Sequence, residues 1–174
     1  MKNVILLCYK GLGANLLHLS YCHQIYDKYG PVTIITLCKN LKEVLYNDPK
    51  IAEVIFLDQY YKKFSDVLNL SKFLSSQKID NMFIFYPSIR FFLASKLAKI
   101  KNIKCYPFFS KKNLHLVKAA KKFTEKILNI DNCSTETRIF IDKNILDLEK
   151  AHIKKNKINI TLGIGSSGPT TRWG

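Results

Sequence analysis

Arginine is scarce in a chain that is otherwise strongly basic. Of 28 lysines and arginines only Arg90, Arg138 and Arg172 are arginine, and with 13 acidic residues the formal net charge is +15. A surplus of this size favours polyanionic partners: nucleic acid, anionic lipid headgroups or phosphorylated sugars. Proteins that read bases and phosphate backbones lean on the two-pronged geometry of arginine, so its scarcity argues against nucleic acid. Paired cysteines are missing too. The five cysteines (Cys8, Cys22, Cys38, Cys105, Cys133) are an odd count with no C-x-x-C spacing. Each lies in or beside an apolar run, where a free thiol behaves as a small hydrophobe, and this pattern fits a reducing cytoplasm. The four histidines share no ligand spacing with each other or with cysteine, so no metal is expected.

Long hydrophobic runs are absent as well. No stretch reaches the roughly 20 apolar residues that span a bilayer. The apolar start, residues 4–8, is too short for a signal peptide and runs into Tyr9-Lys10-Gly11 where a cleavage site would need small residues. What is present is an ordinary globular composition, 47% hydrophobic and 24% charged over 174 residues. That is enough for one full core and an appendage. No internal repeat or low-complexity tract interrupts it.

Read in order, the chain alternates strands and helices. The continuous apolar run at residues 4–8 reads as a strand buried on both faces, as in a parallel sheet. Asn15 reads as the N-cap of a helix over residues 15–29, stopped by Gly30-Pro31. Further strands are expected at 32–36, 54–57, 82–85 and 103–108, with helices at 41–46, 64–76, 90–99 and 114–128 between and after them. A short extended piece at 139–141, a helix at 145–155 and a terminal strand from Ile158 complete the pattern. Such alternation implies an α/β, Rossmann-like parallel sheet with helices on both faces, built from right-handed crossovers. Ligands of these folds sit beyond the carboxyl ends of the strands, which here carry residues 9–14, 58–63 and 86–90.

Gly11-Leu12-Gly13 after the first strand invites a dinucleotide reading, which two checks reject. The third glycine position is Leu16, and no acidic residue closes the second strand, where the sequence is Thr36-Leu37-Cys38-Lys39. The tail carries a different signal. After the terminal strand comes GIGSSGPTTRWG, residues 163–174. Small residues there expose backbone N–H groups that suit phosphate oxygens. Ser166, Ser167 and Thr170 add hydroxyl donors, and Arg172 adds a fork for two oxygens. The chain ends where a helix should begin, so it reads as the front part of something longer.

Three stretches carry a resemblance to glycosyltransferase family nine, the lipopolysaccharide heptosyltransferases of GT-B architecture. They are GLGANLL (residues 11–17), PSIR (87–90) and GSSGPTTRW (165–173). The resemblance implies an acceptor-side Rossmann-like domain over residues 1–141, a connecting helix at 142–157, and the first strand and phosphate loop of a donor-binding domain at 158–174. It implies inverting transfer of a heptose from ADP-heptose to the inner lipopolysaccharide core, with no cofactor beyond the nucleotide-sugar donor and the lipid-linked saccharide acceptor. The protein would work in the cytoplasm, in peripheral contact with the anionic inner face of the membrane.

The same resemblance assigns the site residues. Ser166, Ser167, Thr170, Thr171 and Arg172 would hold the donor phosphates, Thr171 standing at the family's lysine position. Gly11, Gly13, Lys62, Lys63, Ser88 and Arg90 would face the acceptor. The family's aspartate, thought to deprotonate the acceptor hydroxyl, is replaced by Ala14, which leaves Asn15 and Asp58 as candidates for that place. The front part alone is not expected to turn over. Two other readings stand beside this one: a non-catalytic module that binds anionic saccharide or membrane surface, and a transferase of the same fold with another donor sugar.

Overall fold

The computed structural model describes residues 1–58, 63–107 and 115–141. The chain divides into Met1–Phe140 and Ile141–Gly174, and the expected connector and tail fall outside the described residues. Five parallel strands make one sheet: β1 (Asn3–Leu7), β2 (Val32–Thr36), β3 (Ile51–Phe56), β4 (Asn81–Ile84) and β5 (Asn102–Cys105). Their spatial order is β3-β2-β1-β4-β5. All five residues of β1 are buried, which is why its sequence is an unbroken apolar run. It pairs with β2 and β4 in register, Ile5 opposite Ile34 on one side and Phe83 on the other.

Alternation along the strands divides the core into two layers. Ile5, Leu7, Ile34, Phe83 and Phe85 face α2 (Leu19–Tyr29), α3 (Leu41–Val44) and α6 (Leu116–Leu128). Val4, Leu6, Ile35, Met82 and Ile84 face α4 (Asp66–Ser76) and α5 (Ile89–Leu97). Helices therefore cover both faces of the sheet, as the sequence implies. Each fully buried Leu or Ile contributes about 1.5–3 kcal/mol, and both layers draw on β1.

One expected helix differs. Residues 12–29 form two pieces, α1 (Leu12–Leu16) and α2, with Leu17 and His18 between them. The N-cap of α1 is Gly11, and Asn15 lies inside the helix. The strand at 32–36 is found as expected, the other expected boundaries move by no more than three residues, and residues 139–141 join no sheet strand. At the end of α2 the amide of Gly30 donates to Tyr26 O at 2.8 Å with φ +84°. That backbone region is cheap only for glycine, and Pro31 prevents any continuation.

The strand order contains a reversal that positions the site. From β1 the chain winds outward through β2 to β3, then returns across the sheet by α4 to lay β4 on the other side of β1. The crevice of a doubly wound sheet opens at such a reversal, between the carboxyl ends of the two strands that straddle it. Here those strands are β1 and β4.

Candidate functional site

Two loops border this crevice. The loop after β1 carries Tyr9, Lys10 and Gly11 into α1, and the loop after β4 carries Phe85 to Ser88 into α5. The loops are tied together, because the Tyr9 hydroxyl donates to Phe85 O at 2.9 Å. Asn15 braces the first loop from within. Its side-chain amide donates to Tyr9 O (3.0 Å) and Gly11 O (2.7 Å), and its oxygen accepts from Thr36 Oγ1 at the end of β2 (2.8 Å). Only 1% of its surface is exposed, and both of its N–H donors are used. Asn15 thus ties the glycine loop to the neighbouring strand, and its amide has no donor left for an acceptor hydroxyl.

Gly11, the last residue of that loop, and Gly13, in the first turn of α1, are both exposed. Neither has a positive φ, and a Cβ built on either one meets no atom within 4 Å. Nothing inside the described protein therefore demands glycine at these positions. Ala14 is half-buried beside them.

Across the crevice, Ser88 caps α5. Its backbone is extended (φ −127°, ψ 112°), and its Oγ accepts from Phe91 N at 3.5 Å, a long contact. The residue is 6% exposed, so the hydroxyl is turned toward the helix start. Arg90, two residues on, is half-buried and has no hydrogen-bond or ion-pair partner among the described residues. A guanidinium in the first turn of a helix, near the positive end of the helix dipole, is poorly placed for helix stability. Its five N–H donors are free to take an external oxyanion.

The remaining sequence-predicted residues are dispersed. Asp58 is exposed beyond β3, at the far edge of the sheet. Lys63 is exposed, with its backbone N donating to Asp66 Oδ2 at 2.9 Å at the start of α4. Lys62, Ser166, Ser167, Thr170, Thr171 and Arg172 lie outside the described residues. The structure thus brings Gly11, Gly13, Ala14, Asn15, Ser88 and Arg90 to the two lips of one crevice, and leaves Asp58 and Lys63 away from it, after the edge strand β3.

Behind the crevice lies an aromatic cluster that the sequence reading missed. His18 is fully buried. It stacks on Tyr9 with ring centroids 4.8 Å apart and meets Phe85 and Tyr21 edge-on. Its Nδ1 lies 2.7 Å from Ala14 O and so carries the proton, and its Nε2 faces the Tyr106 hydroxyl at 3.5 Å. Burial pulls the imidazole down to about 4, against a smaller upward pull from the Ala14 carbonyl. The Tyr9 and Tyr106 phenols are pushed up by burial and by neighbouring titratable groups. The cluster is therefore held in its neutral form over the physiological range and backs the crevice with aromatic surface. The available signal was small: Tyr9 and Tyr86 both stand just beyond strand ends, where solvated loops usually hold smaller polar residues.

No family model matches the sequence, and no curated protein does. Solved structures do match its fold. A glycosyl transferase family 9 structure from Veillonella parvula superposes with a TM-score of 0.63 at 18% identity, over 99% of this chain and 56% of that one. The chain shares its fold with this glycosyl transferase structure. The Escherichia coli heptosyltransferase WaaC with ADP is also similar, with a TM-score of 0.52 and 11% identity over 90% of this chain and 55% of its own. This chain spans little more than half the length of either glycosyltransferase. Among the described residues no helix is long and apolar enough to cross a membrane.

Proposed function

We propose that this chain is the acceptor-binding part of a glycosyltransferase that moves a sugar from a nucleotide-sugar donor to an anionic saccharide acceptor. The more specific form of the reading is heptose, carried by ADP, passed to a lipid-linked acceptor of the lipopolysaccharide-core type at the inner face of the membrane. Residues 165–173 would receive the donor phosphates. The observation that carries the reading is the pairing of the Gly11–Ala14 loop with Ser88–Arg90 across the β1/β4 reversal. The likeness in fold to two glycosyltransferases supports it.

Binding needs no catalytic base, so the acceptor half can be tested alone. A single charge-assisted contact is worth about 1.5–3 kcal/mol, ten- to hundredfold in affinity. Arg90→Ala should weaken calorimetric binding of an acidic core saccharide by that factor and leave the thermal midpoint unchanged. Unchanged affinity would remove Arg90 from the site. The second reading, a binding module without turnover, is favoured by Ala14, which puts a methyl where a base is expected. ADP release from ADP-heptose by the full-length gene product separates the two: saccharide binding without ADP release selects the module.

A further inference from the structure

A cavity of about 820 Å³ lies beyond the opposite side of β4 from β1. Its lining includes Ile103, Lys104 and Cys105, three consecutive residues of β5. Successive strand residues point to opposite faces, so only the edge of the strand can present all three to one space. The cavity therefore runs along the β5 edge, the last strand of the sheet among the described residues. One face of α6 forms a second wall, with Leu116, Ala119, Phe123 and Ile127 at helical spacing, and Phe92 of α5 forms a third. At one end it reaches Tyr9, Tyr86 and Pro87, the residues that lead into the two lips of the crevice.

The chemistry of the lining is asymmetric. The walls are aliphatic and aromatic, and the charged groups are Lys104, Lys122 and Lys126, all exposed at their tips, with no carboxylate among the described lining residues. A pocket of this size with apolar walls and a few polar groups suits a small molecule. A four-residue edge strand carrying a lysine discourages the addition of a peptide strand.

We propose that this cavity seats a hydrocarbon arm of the lipid-linked acceptor, with its phosphate held by Lys122 and Lys126. The inference rests on the proposed function for the source of the lipid. The continuity with Tyr9 and Tyr86 favours that source over bulk membrane lipid, because one ligand can then reach both the cavity and Arg90. The lysines sit one helical turn apart on α6, so they can close on one headgroup while their stems cover the chain below.

The probe is dodecyl phosphate below its micelle concentration, titrated calorimetrically into the chain. One saturable site is expected, with no heat from inorganic phosphate. The double variant Lys122→Glu/Lys126→Glu should weaken it at least tenfold; both side chains are exposed, so the fold is retained. Ala119→Trp, which fills the cavity from α6, should abolish it. Undiminished binding in either variant, with circular dichroism unchanged, overturns the site. Flotation in high salt, which screens the chain's +15 charge, distinguishes the source: phosphatidylcholine vesicles doped with core-truncated lipopolysaccharide should capture more of the chain than vesicles given the same charge as phosphatidylglycerol. Equal capture overturns the acceptor assignment. Dodecyl phosphate binding is measured without donor or turnover, so a failed ADP-release assay would remove the transferase reading and leave the cavity result as it stands.

Discussion

Acid should destabilise this chain through His18, by an amount that its surroundings fix. Aromatic rings enclose the imidazole and the Ala14 carbonyl accepts a hydrogen bond from its Nδ1–H, so the charged form has no solvent. Burial holds it at about 4 in the folded chain, below the ordinary imidazole value of 6.5. Between those values the unfolded chain binds a proton that the folded chain refuses, so stability rises with pH across this window. The contribution is complete above 6.5 and is lost as the pH falls toward 4. Relative to pH 7 the loss is about 2 kcal/mol at pH 5 and about 3 kcal/mol at pH 4. That is a large part of the 5–15 kcal/mol typical of a domain. The assay is urea unfolding at pH 7, 5 and 4 for the wild type and for His18→Phe. The variant loses the bond to Ala14 O and starts lower, but the pH-dependent loss assigned to His18 should vanish, because every other titrating group is shared. Parallel pH profiles for the two proteins, or a His18 ring proton titrating near 6.5 by NMR, would refute the reasoning.

Other consequences are as direct. Asn15→Ala strips three buried partners at once and should lower unfolding stability by about 3 kcal/mol, whereas a residue that only contacted substrate would leave the urea midpoint unmoved. Gly13→Ala should raise stability by about 0.5–1 kcal/mol, since it adds a better helix former in open space; if the glycine loop touches the acceptor, the same variant weakens saccharide binding, and the opposite signs are the diagnostic. Asp58→Asn should leave the urea midpoint within about 0.5 kcal/mol of the wild type. In the full-length protein it should remove ADP release if this carboxylate takes the acceptor proton, and unchanged release would strike Asp58 from the mechanism.

The sheet was legible because parallel strands announce themselves as apolar runs, and residues 4–8 and 32–36 could hardly be anything else. The strand ends were legible for the same reason, but which of the three segments after them form the lips depends on the order β3-β2-β1-β4-β5, which no local pattern contains. Asn15 was misread because one chemistry serves two positions. A short amide that caps a helix from outside can equally brace a loop from inside the first turn, and the choice depends on Thr36, 21 residues away on another strand. The cluster around His18 joins residues from Tyr9 to Tyr106 with no common period, so no local pattern reveals it. The cavity was hidden for a further reason. Lys122 and Lys126 read as a solvated helix face until β5 proves to be the last strand among the described residues, with the cavity between its edge and α6.

The unsettled chemistry comes down to distance along the strand ends. Ala14 stands beside β1, and a base at that position would reach an acceptor hydroxyl lying directly over the β1/β4 crevice. Asp58 follows β3, two strand spacings from β1, or about 10 Å across the sheet. A general base must come within hydrogen-bond reach of its proton, or act through one water. Asp58 therefore cannot substitute for a carboxylate at Ala14 with the acceptor in the same pose. If it is the base, the reacting hydroxyl must lie over β2 and β3, and Arg90, on the far side of β1, would hold a charged group at the opposite end of the acceptor. An extended acidic saccharide is long enough to bridge those points and a single sugar ring is not. The pairing of Asp58 as base with Arg90 as anchor thus favours an oligosaccharide acceptor over a single sugar ring.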